Sequence, residues 1–342
     1  MEKPAKSRIA SIDAIRALAV FGVVIIHCDL FRKAGFGDNW RLAGSLIDLA
    51  SRVAVPFFMV AAGYFFGIKS REQCFGVAIV STFARRLFIV FSFWYVFYIF
   101  WPADWRLAID QGYWRTIYWD ANALLHHTAR LVIGPRAHLW FLSALLLGTI
   151  HVALIGRIAG WRLLMPYSVI LYLLGLAYGA YQAIPEVNAV SPRLWGNLAF
   201  PPFLIALGWA MSQQKITIRY KAALGLFLLG SLLVLLEAVW LHVRFAVPLS
   251  GHDMLLGTPF QAVGLMALAL TRPDWGASTP LPTWGRYTLG VYTAHVMILE
   301  LFHLHEFNGF FWEFAKAPVI FATTIIMVML LSRLSILRPV LV

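Results

Sequence analysis

The chain is poor in charge. Of its 342 residues only 13% are Asp, Glu, Lys or Arg, whereas 61% are hydrophobic. An ordinary soluble domain carries about a quarter charged residues and cannot hide this much apolar surface, so that class is excluded. Acids are the scarcer sign, 16 against 28 Lys and Arg. No nucleic-acid-binding motif accompanies the basic excess, and no nucleic-acid site is read into it. Cysteine is limited to two residues, Cys28 and Cys74, which excludes a disulfide framework. The first apolar run is too long for a cleavable signal peptide and lacks a small-residue cleavage pattern. No internal repeat is visible, which disfavours transporter architectures with symmetric halves.

What the sequence does hold is a series of long apolar runs. A helix needs about 20 apolar residues to cross the hydrocarbon core, and open strands are excluded because lipid cannot satisfy their backbone groups. The runs fall at 9–30, 47–68, 77–100, 139–157, 163–181, 198–211, 222–241, 254–270, 289–305 and 318–334. The expected fold is therefore all-α, a single polytopic membrane domain over 1–342 with about ten transmembrane helices. Basic residues set its orientation. With both termini cytoplasmic, one side collects Lys3, Lys6, Arg8, Lys69, Arg71, Arg85, Arg86, Arg272, Arg286 and Arg338, diluted only by Glu2, Glu72 and Asp274. Cys28 and Cys74 then fall toward opposite faces, and no disulfide is expected between them. The long connection 101–138 lies outside, and its Trp, Tyr and His content suggests a segment at the membrane interface.

Polar groups at membrane depth are costly and mark candidate sites. The first span carries Asp13, Arg16 and His27. Arg16 and His27 are eleven residues apart, which at about 100° per residue returns them to one helix face. Along the axis they are separated by roughly 16 Å. Asp13 stands three residues before Arg16 on that face, so the two can pair. The alternative, an interfacial ion pair plus a packing histidine, is weaker for three polar residues on one stripe than for one. Tyr292 and His295, spaced by three, share a face of the ninth span, where the alternative is a polar helix–helix contact, and Glu300 follows toward the outer side. Glu237 stands alone in an apolar run as an ion partner or a protonated carboxyl. Arg85 and Arg86, at the inner end of the third span, read either as positive-inside anchors or as a phosphate clamp. Trp140, in the His138-Leu139-Trp140-Phe141 entry to the fourth span, reads by composition as a belt residue.

Taken together, these pieces resemble the acyltransferase-3 family of bacterial integral-membrane O-acyltransferases. The likeness covers nearly the whole chain. Its most specific element is the Arg16-to-His27 pattern within SIDAIRALAVFGVVIIHC. It continues through SRVAVPFFMVAAGYFFG, ending in Gly67 and including Gly63 where the family's signature glycine falls, then HLWFLSALLL and WGRYTLGVYTAHVMIL. Two positions depart from the pattern. Ala62 replaces a usual serine, and Arg85-Arg86 are adjacent where a spaced Arg-x-x-Arg pair is common, with Thr82 and Phe83 preceding them.

The resemblance implies an inner-membrane enzyme that moves an acyl group, most often acetyl, from cytoplasmic acyl-CoA to a hydroxyl of an envelope glycan or lipid-linked sugar. It implies catalytic roles for His27, Arg16 and Asp13 and donor contacts from Arg85, Arg86, Trp140, Tyr292 and His295. No metal is expected. His27 as general base and His27 as transient acyl carrier remain alternatives. No fused hydrolase-like domain is seen, so the chain is expected to complete the transfer or to hand the acyl group to a periplasmic partner. Competing readings are a transporter or flippase for a lipid-linked sugar or small anion, and an inactive scaffold.

Overall fold

The structure is a computed structural model that describes residues 8–32, 36–70, 76–126, 128–184, 192–304, 307 and 309–342. Lys3, Lys6, Lys33, Arg71, Cys74 and His305 lie outside the described residues. Among those described, every regular element is a helix. The long helices are α1 (Ala10–Cys28), α3 (Ala54–Lys69), α4 (Val77–Ile99), α8 (Trp140–Tyr178), α9 (Pro192–Ser212), α10 (Tyr220–Phe245), α11 (Thr258–Thr271), α13 (Thr288–His303) and α14 (Phe310–Leu331). Shorter ones are α2 (Asp38–Ser51), α5 (Trp105–Gln111), α6 (Tyr113–His126), α7 (Thr128–Ile133), α12 (Leu281–Trp284) and α15 (Arg338–Leu341).

Among the described residues six helical stretches are long and apolar enough to cross a membrane, beginning with Ala10–Cys28, and 198–212 and 258–271 form shorter apolar helices. The protein is thus an all-helical, multi-pass membrane protein. Its outermost helices carry apolar side chains on the exterior, among them Phe88, Phe93 and Val96 of α4 and Leu228, Leu232 and Leu236 of α10. In lipid such faces need no partner.

Several boundaries differ from the sequence pattern, each for a local reason. The run 47–68 is interrupted after Ser51, so α2 and α3 are separate helices. The runs 139–157 and 163–181 are joined in α8, which turns at Gly160 with φ 67° and ψ 179°. That left-handed φ suits a residue without Cβ, and Pro166 follows in the next helical segment. The connection 101–138 folds into three short helices. Asp104 caps the first by accepting from the backbone N–H groups of Arg106 and Leu107 at 2.9 and 3.1 Å. Trp114, Tyr118 and Leu125 remain exposed there, as befits an interfacial segment.

Contacts gather the basic helix ends at one end of the bundle. The Gln213 side chain donates to the Gly67 carbonyl at 2.8 Å, and the Ser11 amide donates to Pro273 at 3.0 Å. Lys215 lies over the rings of Trp161 and Trp209, and Arg272 over that of Tyr220.

Helices α3 and α9 touch through their backbones. A Cβ on Gly63 would overlap the Ile205 carbonyl oxygen, and one on Gly208 would overlap that of Val60. Close approach through small residues is how membrane helices gain packing without a hydrophobic driving force. Gly63→Ala should therefore lower stability by about 1–3 kcal/mol, the range for overpacked cores. Gly225, whose Cβ would meet open space, is the control. Thermal unfolding in detergent should show a lower midpoint for Gly63→Ala only; equal midpoints would show that the helices separate without cost.

Candidate functional site around three histidines

Helix α1 joins two polar clusters. At its first turns Asp13 is buried and accepts from Arg16 Nη1 at 3.1 Å and from Arg8 Nε at 3.2 Å. The pairing expected from the spacing of three is present. Gly285 presses on this turn so closely that a Cβ would overlap the Asp13 carbonyl oxygen. Arg86, exposed on α4, lies within electrostatic reach of Arg16 and donates to the Val342 carbonyl at 2.7 Å. Arg85 beside it is also exposed. This basic cluster therefore sets Arg8 and Arg16 on one buried carboxylate, with the charge of Arg86 within reach of Arg16.

At the far end of α1, His27 meets two other histidines. Its ring lies edge-on to His295 at a centroid distance of 4.9 Å and to His138 at 6.1 Å, and His138 to His295 at 5.3 Å. Local backbone holds each ring. His27 Nδ1 faces the Val23 carbonyl at 2.9 Å, and His295 Nδ1 faces the Tyr292 carbonyl at 2.7 Å, both within one helical turn. His138 Nε2 reaches the Thr293 carbonyl at 3.2 Å, tying the start of α8 to α13. The Tyr292 hydroxyl donates to the His138 carbonyl oxygen, and the Tyr98 hydroxyl donates to Thr293 at 2.7 Å.

Charges brace this arrangement from behind. Arg136 pairs with Glu300 at 2.7 Å, donates to the Trp101 carbonyl at 2.5 Å and lies over the Tyr98 ring. Glu300 is thereby assigned a partner. Glu237, an ion partner or protonated carboxyl on the sequence reading, accepts from two neutral donors. It takes the Tyr181 hydroxyl at 2.5 Å and the Leu256 amide at 2.8 Å.

A cavity of about 1130 Å³ adjoins the histidines, lined by His27, His138, Trp140 and Tyr292 on one side and by Arg52 and Asp253 on the other. It is large enough for a sizeable ligand. His295 is fully buried behind His27 and does not line it. Arg52 bridges Asp48 and Asp253, each at 2.6 Å, and so fastens the 246–257 loop across the cavity wall. In that loop His252 is buried, and burial followed by the charge of Arg52 lowers its pKa below the usual histidine value. Among the described residues no group of three His, Cys, Asp or Glu side chains is arranged to hold a metal ion.

The expected site residues therefore separate into two places. Arg16, Asp13 and Arg86 gather at the basic end. Trp140, Tyr292 and His295, grouped with Arg85 and Arg86 as donor contacts on the resemblance, lie instead with His27. Tyr98 and Arg86 are twelve residues apart on α4, roughly 18 Å along its axis. Trp140 lines the cavity rather than standing solely as a belt residue. The residue that sequence reasoning passed over is His138. Its signal was its place beside Trp140 at the mouth of an apolar span.

Comparison with known proteins gives two curated relatives. An amino-acid racemase of Enterococcus faecalis is 28% identical over 320 residues, 87% of this chain and 42% of the relative. A serine/alanine racemase of Enterococcus gallinarum is 28% identical over 308 residues, 83% of this chain and 40% of the relative. The chain thus spans about two fifths of the length of these relatives. No solved structure matches. The family model of the acyltransferase-3 domain, described as an acyltransferase domain, matches residues 9–333, and the chain belongs to that family.

Proposed function

We propose that the protein takes an acyl group, acetyl in the first instance, from acyl-CoA in the cytoplasm and transfers it to a hydroxyl of an envelope glycan or lipid-linked sugar. In this reading about ten spans cross the bacterial inner membrane with both termini inside. The basic end of the bundle faces the cytoplasm and the cavity faces outward. The observation that carries the proposal is the span of α1, with Arg16 in the basic cluster and His27 in the cavity wall.

Physical roles follow from that placement. Arg8, Arg16 and Arg86 attract the anionic nucleotide, and guanidinium forks suit phosphate oxygens. The acyl thioester extends along α1 toward His27. His27 takes the proton of the acceptor hydroxyl as its oxygen bonds to the acyl carbon. The C–S bond breaks, and CoA leaves as a thiol once the proton reaches its sulfur. Trp140 and Tyr292 shape the acceptor side of the cavity. The names of the two relatives describe reactions of proteins more than twice as long as the region matched. They do not bear on this transfer.

A second reading, a carrier for a lipid-linked sugar or small anion, draws support from two ion pairs that involve apolar helices, Arg136 with Glu300 of α13 and Lys316 with Glu313 within α14. Turnover separates the two: the enzyme consumes acetyl-CoA and leaves an ester, whereas a carrier moves its substrate unchanged. The exposed arginines give a further test. Arg85→Ala with Arg86→Ala should raise the KM for acetyl-CoA with little change in kcat. Added salt should weaken donor binding in the parent protein, because the contact is exposed. A fixed KM accompanied by poor membrane insertion would make the two residues topology anchors alone.

A further inference from the structure

The carbonyl partners of the three imidazoles decide which nitrogen of each ring carries hydrogen. A carbonyl oxygen only accepts, and a neutral imidazole has one N–H. That hydrogen lies on His27 Nδ1, His295 Nδ1 and His138 Nε2, because these atoms face Val23, Tyr292 and Thr293 carbonyls. The remaining nitrogen of each ring is then a bare lone pair. His138 Nδ1 and His295 Nε2 are buried and have no hydrogen-bond partner. Two buried acceptors thus stand beside the cavity-lining His27 ring with no donor, a costly arrangement for buried polar atoms.

One added proton removes the conflict. The ring that takes it becomes a double donor and gives its new N–H to a neighbour's lone pair, through a small ring rotation or one water. A second proton would set two cations side by side, with centroids 4.9 to 6.1 Å apart. The spacing therefore admits at most one proton at a time.

We propose that His27, His138 and His295 act as one base that holds a single shared proton, with His138 a second proton acceptor at the cavity wall. This rests on the acyl-transfer reading of His27 and says where the hydroxyl proton resides during transfer. The acceptor O–H bond breaks and the proton enters the cluster at His27 Nε2. The new O–C bond forms, the C–S bond breaks, and the departing thiolate recovers the proton, leaving all three rings neutral. His138 borders the cavity but its basic Nδ1 is buried, so it shares the proton taken up at His27, whereas His295, sealed behind, is a positioning residue that spreads the charge. The other titratable and charged groups facing the cluster are Tyr98 from α4, Tyr292 from α13, Arg136 with Glu300 behind, and Arg52, Asp29 and Asp253 around the cavity.

His138→Gln separates this role from a structural one. Glutamine keeps an N–H for the Thr293 carbonyl but offers no basic nitrogen. Two measurements are made on the full chain. The first is incorporation of labelled acetyl-CoA into native membrane vesicles. The second is a titration of ¹⁵N-histidine-labelled protein in nanodiscs between about pH 5 and 8. In the parent protein the His27 and His295 signals should move together with one midpoint. In His138→Gln that midpoint should fall to lower pH, because the protonated cluster has lost a sharing partner. The kcat should drop about 10²-fold at unchanged KM for acetyl-CoA. Parent-like kcat with an unmoved His27 midpoint would overturn the proposal. If the parent protein incorporates no acetyl group, the acyl-transfer reading fails by itself, and the titration alone upholds or overturns the shared proton.

Discussion

Replacing His27 by alanine should abolish acyl transfer while the protein still inserts and purifies as a folded species. General acid–base groups contribute about 10²–10⁴-fold, so the loss should reach at least that scale. The ring can be removed without collapse because its anchor is the Val23 carbonyl of its own helix, not a distant element. His27→Gln keeps similar size and hydrogen-bonding capacity but cannot take the hydroxyl proton. If His27 is the base, the glutamine variant should be nearly as inactive as the alanine one, with acetyl-CoA binding largely retained, since Arg16 and Arg86 stand at the other end of the bundle. A packing role would leave His27→Gln close to parental activity. Should His27 carry the acyl group instead, brief incubation with labelled acetyl-CoA would leave label on the parent protein and none on either variant. Donor binding and ester formation measured on the same purified samples decide among these outcomes. Near-parental turnover in a well-folded variant would return the carrier reading to the front.

Lys316→Met should destabilise the protein by about 3–5 kcal/mol, the range for stripping one partner from a buried ion pair. Glu313 and Lys316 are both buried, with Lys316 Nζ at 3.0 and 3.2 Å from the two carboxylate oxygens. Glu313 also accepts the Phe31 amide at 2.7 Å and so clamps the turn that ends α1. That turn is already confined, with Asp29 and Phe31 at φ 49° and 56°. In the Lys316→Met protein the carboxylate keeps only the amide, and its remaining charge is stranded. The double variant Glu313→Gln, Lys316→Met removes both charges yet keeps an acceptor for Phe31. It should unfold at a higher temperature than the single variant. Equal stability of Lys316→Met and the parent would show that the pair contributes nothing. His27 lies four residues before Phe31, so the single variant should also lose activity in step with its folded fraction.

Much of this architecture is legible in the residue pattern, because lipid imposes a simple rule: apolar helices of sufficient length, with polar groups only where they find partners. Asp13, Arg16 and His27 were recoverable from helical periodicity alone, and the Asp13–Arg16 pair follows from a spacing of three. The start of α14 was not. The apolar run starts at 318, whereas the helix begins at Phe310 and includes Glu313 and Lys316. Pairing across one turn cancels the two charges, an effect that hydropathy summed residue by residue omits. The partnership of Arg136 with Glu300 joins residues 164 apart in sequence, and no local pattern encodes it. His138 was hidden for a different reason. It stands at the entry of a span beside a tryptophan that explains itself as an interfacial residue. Only the approach of α13 brings the His138 ring against His27 and His295.

The glycine contacts between α3 and α9 bear on how the cavity changes size. Carbonyls of each helix sit in the notches left by Gly63 and Gly208, with Ala62 and Leu207 immediately alongside. A slip of one residue in either direction would drive a Cβ into a carbonyl oxygen, so the two helices travel as one rigid plate. That plate supplies Val55 from α3 and Phe200 from α9 to the cavity lining. Its opposite margin is the 246–257 loop, held to the plate by Arg52 and the largely exposed carboxylate of Asp253. The loop is tied further by its backbone, with the Leu256 amide on Glu237 at 2.8 Å and the Leu255 carbonyl accepting the Tyr172 hydroxyl at 2.7 Å. Any widening of the cavity would therefore fall on that loop, a dozen residues long, and not on the interlocked helices.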